Sequence, residues 1–203
     1  VDVQPDFMPG GALAVPRGDE VLAPINRLGA QFSDVVLTQD WHPRGHLSFA
    51  SSHPGKKPFD KIMLPYGEQV LWPDHCVQGT PGAALAKDLS IPQAGLIIRK
   101  GFHKEVDSYS AFTEADGKTT TGLAAYLKAR KVKRLFLAGL ALNREYLLAT
   151  ADYRLQLEFV NPIALGNTAL SFILFFVFFA PRLKIAAIGA VILTPLFVLT
   201  FIY

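Results

Sequence analysis

Three short aliphatic runs constrain the fold of this chain more than any other feature: Val35-Val36-Leu37-Thr38, Leu96-Ile97-Ile98-Arg99 and Leu135-Phe136-Leu137-Ala138. Each is too short for a helix and too evenly apolar for a strand with one wet face, so each reads as a strand covered on both sides. Helical stretches lie between them. Residues 20–32 place Val21, Leu22, Ile25, Leu28 and Phe32 on one side. Residues 121–130 open with threonines that can cap a helix and end in basic residues that suit its C-terminus. This alternation predicts an α/β fold, a parallel sheet with helices on both faces. Val1-Asp2-Val3 reads as the end of a further strand that starts before residue 1. Residues 41–95 break the alternation with Pro, Gly, His and aromatic residues of little periodicity, and an insertion of that length is usually functional.

Composition divides the chain in two. A net charge of +3 from 20 basic and 17 acidic residues is too small and dispersed for a nucleic-acid footprint. The single cysteine excludes an internal disulfide framework. A hydrophobic content of 50% excludes intrinsic disorder, and the surplus sits at one end. After Glu158 the only charged residues are Arg182 and Lys184, and that stretch holds 8 of the 15 Phe. Residues 143–156 read as a helix with Asn143 as its cap. Residues 159–180 and 185–203 are then uncharged. A bilayer core of about 30 Å needs around 20 apolar residues, so 159–203 reads as an apolar helical hairpin able to enter a membrane, behind a domain at 1–158. No basic segment followed by an apolar one marks a signal peptide at the start.

The candidate chemistry is concentrated at the ends of the expected strands. Asp40-Trp41-His42 follows the Val35–Thr38 run, where open α/β sheets place their sites. Residues i and i+2 of an extended segment point the same way, so Asp40 and His42 can converge on one ion, with His75 as a third ligand. Two imidazoles and a carboxylate suit a divalent transition metal; His46 is a fourth candidate. The alternative is that these are loop histidines with ordinary hydrogen bonds. Asp2 and Lys100 end two other expected strands on the same sheet edge. They make either an ion pair or a general base whose charge is set by its lysine neighbour. Cys76 adjoins His75, but neighbours in an extended chain point apart, so it reads as a small buried hydrophobe rather than a nucleophile.

Taken together, the segments VDVQPDFMPGGALAVPRGDEVLAPINRL, VVLTQDWHPRGHLSFASSHPG, LWPDHCVQGTPGA, RKGFHKEVDSYSAF and LFLAGLA resemble, in order and spacing, the bacterial nicotinamidases of the isochorismatase-like cysteine hydrolase superfamily. The resemblance runs from Val1 to about Ala141. It implies a Rossmann-like α/β fold, a cytoplasmic place in NAD salvage, and hydrolysis of nicotinamide to nicotinate and ammonia through a cysteine thioester. On that resemblance Asp2 is the general base and Lys100 completes the triad. Asp40, His42 and His75 hold a divalent ion (zinc, iron or manganese), with His46 at a position that ligates in some members. Phe7 and Trp72 line the nicotinamide pocket, and the amide of Ala141, after a cis Leu140–Ala141 step, helps form the oxyanion hole. The implied partner is a small molecule, not a nucleic acid, and a homo-oligomer is compatible.

Two departures stand against the pattern. Gly139-Leu140-Ala141 is followed by Leu142-Asn143-Arg144-Glu145-Tyr146, so Glu145 occupies the place of the nucleophilic cysteine. The family's later strands and helices are not expected past this point, and Pro5 stands where the family usually has Asn. Three readings stay open: a working or nearly working hydrolase, a metal-binding pseudo-hydrolase with a membrane hairpin, and a truncated or fused product without function.

Overall fold

The computed structural model describes residues 1–140 and the backbone of Gln156–Phe159. Two helices are present among them, α1 (Leu22–Gly29) and α2 (Leu123–Ala129). The strands are β1 (Val35–Asp40), β2 (Lys61–Leu64), β3 (Gly67–Val70), β4 (Ala94–Lys100), β5 (Arg134–Leu137) and β6 (Gln156–Phe159). β1 pairs in parallel with β4, β5 pairs in parallel with β6, and β2 and β3 form an antiparallel hairpin. The three aliphatic runs are therefore strands in parallel pairs, as their composition requires.

Both faces of β1 pack on a core, as its pleat shows, but β4 buries one face only: Ile97 is exposed, against the coverage on both sides expected for its run. Val35 and Leu37 pack on a cluster built on Val3, Phe7, Val21, Ile25, Cys76 and Leu140. Val36, Leu96 and Ile98 join the other cluster, with Ala111, Phe112, Leu123, Leu127 and Leu137. Successive residues of one strand feed opposite cores.

Several boundaries differ from the sequence reading. The helix expected over 20–32 is α1 alone, entered through a 3₁₀ turn at Gly18–Val21 and closed by short bonds from Gln31 N to Leu28 O and Phe32 N to Gly29 O. α2 starts only after Gly122, whose φ of +89° cannot belong to a right-handed helix. Val1–Val3 is not a strand. The Val1 amine donates to Ala138 O and Leu140 N donates to Val1 O, but Asp2 turns left-handed at φ +48°, which breaks any ladder. The insertion at 41–95 contains the β2–β3 hairpin and short 3₁₀ turns at Ala50–Ser52 and Pro81–Ala83.

The C-terminal expectations need one correction. Gln156 opens β6 instead of closing a helix, and Phe159 ends that strand instead of starting an apolar span. The alternation Gln-Leu-Glu-Phe has the period of a strand, and its pairing with β5 continues the fold past residue 141. The rest of the helix expected over 143–156 and the hairpin expected over 159–203 lie outside the described residues. Among the described residues no helix is long and apolar enough to cross a membrane.

Candidate active site

The pairing of β1 with β4 runs from Val36 opposite Leu96 to Asp40 opposite Lys100, so the two strands end together. At that edge the Lys100 ammonium contacts Asp40 Oδ1 and lies 3.0 Å from Asp2 Oδ2. It also donates to Ser108 O at 3.4 Å. Asp2 is buried, and its Oδ1 accepts the Thr38 hydroxyl at 2.6 Å. Its Oδ2 has no hydrogen bond of good geometry. Burial pushes the Asp2 carboxyl above the usual carboxylate range, against the opposing pull of the Lys100 ammonium. Gln4 fixes the end of β1. Its amide donates to Asp40 O and Ala83 O at 2.9 Å each, and its Oε1 accepts Asp40 N at 2.8 Å.

The backbone just beyond β1 is tied to the second long loop by bonds from His42 N to Cys76 O at 3.0 Å and from Gln78 N to His42 O at 2.9 Å. This brings His75 to the strand edge. Asp40 Oδ2 lies 3.9 Å from His42 Nε2 and 3.8 Å from His75 Nε2. His42 Nδ1 lies 2.9 Å from Gly101 O, and His75 Nδ1 lies 2.8 Å from Pro73 O. Carbonyls only accept, so each Nδ1 carries the proton and each Nε2 keeps a lone pair turned toward Asp40. Burial, with His75 adding to it, pushes the His42 pKa down to about 3, which keeps the ring in the neutral, ligating form. The ligand atoms of Asp40, His42 and His75 all lie within 4.8 Å of one another. This donor set fits a divalent transition ion. Phe49 packs against the rings of His42 and His75, at centroid distances of 5.4 and 5.6 Å.

His46 stands apart from this trio. Its Nε2 faces two carbonyls, His103 O at 3.0 Å and Val106 O at 3.1 Å, and its Nδ1 faces the Ser48 hydroxyl at 2.8 Å. Neither nitrogen is left with a free lone pair. It groups instead with His42 and Asp107, and its ring lies 4.5 Å from that of His42.

A cavity of about 240 Å³ opens over these groups. Asp40, His42, His75 and Lys100 line its polar side; Phe7, Leu13, Trp72 and Tyr109 supply apolar walls, with Asp107 and Ser108 between. A larger cavity of about 550 Å³ lies between β1 and β5, but it is walled mainly by aliphatic residues and holds none of the histidines or Lys100. Chemistry, not size, identifies the smaller one as the site.

Phe7 and Trp72 both line this cavity, and Phe7 meets His75 edge-on at 5.6 Å. Cys76 is buried, but for a reason other than extended geometry. It adopts φ +45°, its amide donates to Asp6 Oδ2 at 2.6 Å, and its thiol faces Gly82 O at 4.0 Å. Burial first, then Asp40 and Asp6, pushes the thiol pKa up. Ala141 and Glu145 lie outside the described residues. Leu13, Gln69, Asp107 and Tyr109 were not singled out from sequence. The only signal for the last two was their i, i+2 spacing inside Val106-Asp107-Ser108-Tyr109.

The isochorismatase domain model matches residues 1–144. Nicotinamidase of Acinetobacter baylyi is 60% identical over 141 residues, covering 70% of this chain and 66% of that protein, just under two thirds of its length. Among solved structures, an Acinetobacter baumannii nicotinamidase/pyrazinamidase superposes with a TM-score of 0.69 at 42% identity, covering 81% of this chain and 94% of that one. Pyrazinamidase of Pyrococcus horikoshii in complex with zinc gives a TM-score of 0.62 at 33% identity, covering 78% of this chain and 79% of that one.

Proposed function

Because the chain belongs to the isochorismatase domain family, we propose that its pocket is a nicotinamidase-type amide hydrolase site that takes nicotinamide. One observation carries the reading. Lys100 and the Asp40–His42–His75 trio line a single cavity walled by Phe7 and Trp72, and Lys100 pairs with the buried Asp2 carboxyl. Two aromatic faces accept a flat ring, and Lys100, which pairs with Asp2, lines the same cavity.

In this reading Asp40, His42 and His75 hold a divalent ion, whose charge supplies an anchor for the ring nitrogen. Asp2 Oδ2, free of hydrogen bonds, is the proton acceptor, and Lys100 sets its charge. The Ala141 amide stabilises the developing oxyanion. Glu145 stands where the thiol belongs. A carboxylate attacking an amide must form an anhydride, and its charge repels the oxyanion. Losing a triad nucleophile costs several powers of ten in rate, up to about 10⁶. The chain therefore binds nicotinamide and hydrolyses it poorly, which makes a binding pseudo-hydrolase the second reading. For the residues beyond β6 the proposal is an apolar membrane hairpin, tested by whether the full chain resists carbonate extraction while a chain ending at Phe159 does not.

The test of function has two arms, calorimetric titration with nicotinamide and ammonia release. We expect saturable binding, weakened in Phe7→Ala, and no ammonia above the Asp2→Ala background. No binding by the unaltered chain would sink the pocket assignment. Turnover at ordinary enzymatic rates that vanishes in Asp2→Ala would show instead that Glu145 does not impair it.

A further inference from the structure

We propose that Gln69 is a positioning residue for the aromatic wall of the pocket, locking Tyr109 and Trp72 in place while it holds Asp107 at the pocket's edge. Gln69 lies on β3, in the hairpin of the irregular insertion, at the inward position between exposed Glu68 and half-buried Val70. It is fully buried. A buried amide costs stability unless its hydrogen bonds are made, and every polar atom of this one is engaged. Nε2 lies 2.7 Å from Val70 O, from Asp107 Oδ2 and from Tyr109 Oη, so two hydrogens face three acceptors. Oε1 accepts the Tyr66 hydroxyl at 3.2 Å. Reversing the amide would aim its oxygen at the Val70 carbonyl and the Asp107 carboxylate, so the network determines the orientation.

Three features connect this amide to the pocket. Tyr109 Oη also accepts Trp72 Nε1 at 3.3 Å, so Gln69 and Trp72 hold the same hydroxyl. Trp72, Asp107 and Tyr109 all line the cavity, whereas Gln69 stands behind them and does not touch it. Asp107 in turn groups with His42 and His46 on the metal side. One side chain of the hairpin thus supports two walls that come from separate loops. Without it Tyr109 keeps only Trp72 and Asp107, and Asp107 loses the amide donor at Oδ2.

The inference rests on the nicotinamide reading only for the identity of the ring. Gln69→Met keeps the reach but removes both hydrogens, and Gln69→Glu sets a carboxylate against Asp107. Each is made in the full chain carrying Trp41→Phe, so that Trp72 alone reports by fluorescence.

In both variants we expect a shifted Trp72 emission and nicotinamide binding weakened by about tenfold or more. Zinc affinity should be unchanged in Gln69→Met. Unchanged nicotinamide binding in Gln69→Met, or an equal loss of zinc and nicotinamide binding, would each overturn the assignment. If the parent chain binds no nicotinamide, the pocket reading falls by itself. The emission arm then decides: unshifted Trp72 fluorescence in Gln69→Met refutes the role of Gln69, and a shift with unchanged zinc affinity supports it.

Discussion

Asp40 and Lys100 face each other as the last partners of the β1–β4 pairing, and their side chains meet. Lys100 also serves Asp2, so one ammonium balances two buried carboxylates. The other oxygen of Asp40 lies toward His42 Nε2 and His75 Nε2, an electrostatic setting that a divalent cation would complete.

Lys100→Met should expose how much of the fold depends on that balance. It leaves two buried carboxylates uncompensated, and breaking such a pairing costs about 3–5 kcal/mol. Urea unfolding should show the loss; a change below about 1 kcal/mol would mean that water already reaches the carboxylates.

Ligand removal and ligand displacement should have the same effect on the metal. His42→Ala removes one of three donors. A Cβ at Gly101, where φ is +65°, would lie 2.4 Å from His42 Cε1, so Gly101→Ala must move the ring or the backbone that accepts its proton. Both variants should lower zinc affinity by about 10–100-fold in calorimetry, the range seen when ligands or their supporting bonds are lost. Full zinc affinity in Gly101→Ala would argue against His42 as a ligand.

Stability without metal should fall in mild acid. His42 has a folded pKa of about 3 against 6.5 for the free ring, because burial penalises the cation. Between these values the unfolded chain binds the extra proton. The contribution is therefore complete above pH 6.5 and drains away as pH drops toward 3, by about 1.4 kcal/mol per pH unit. Denaturant unfolding in chelator at pH 7.5 and 5.5 measures the slope, which His42→Asn should reduce. An identical slope in that variant would place the acid sensitivity elsewhere.

Thr38→Val should act on Asp2 without touching the cavity. It deletes the hydroxyl that Asp2 Oδ1 accepts, a bond to a buried carboxyl worth about 1.5–3 kcal/mol. Thermal unfolding checks the loss. An unchanged midpoint would mean that Lys100 alone secures the carboxylate.

The elements that were legible from sequence are those whose cause is local. β1, β4 and β5 declare themselves as short aliphatic runs, although β4 leaves Ile97 exposed, and Asp40 and His42 because a period of two puts them on one side. Asp2 was legible as a site residue but not as a left-handed turn, since one residue's φ leaves no pattern. β6 was hidden by its brevity, four residues beside a long apolar tail.

By itself, then, the amino-acid sequence determined the α/β class, the strand runs and the residue types able to bind a metal, because hydrophobic periodicity and strand alternation act over a few neighbouring residues. Tertiary structure alone decided which of those residues meet. The β1–β4 register brings Lys100 onto Asp40, and the bond from His42 N to Cys76 O delivers His75. The fold also sets two carbonyls against His46 Nε2 and the Ser48 hydroxyl against its Nδ1. The β2–β3 hairpin sets Gln69 behind Tyr109. Those contacts join residues far apart in the chain, and a polar group gains by such a bond only once the surrounding core has excluded water.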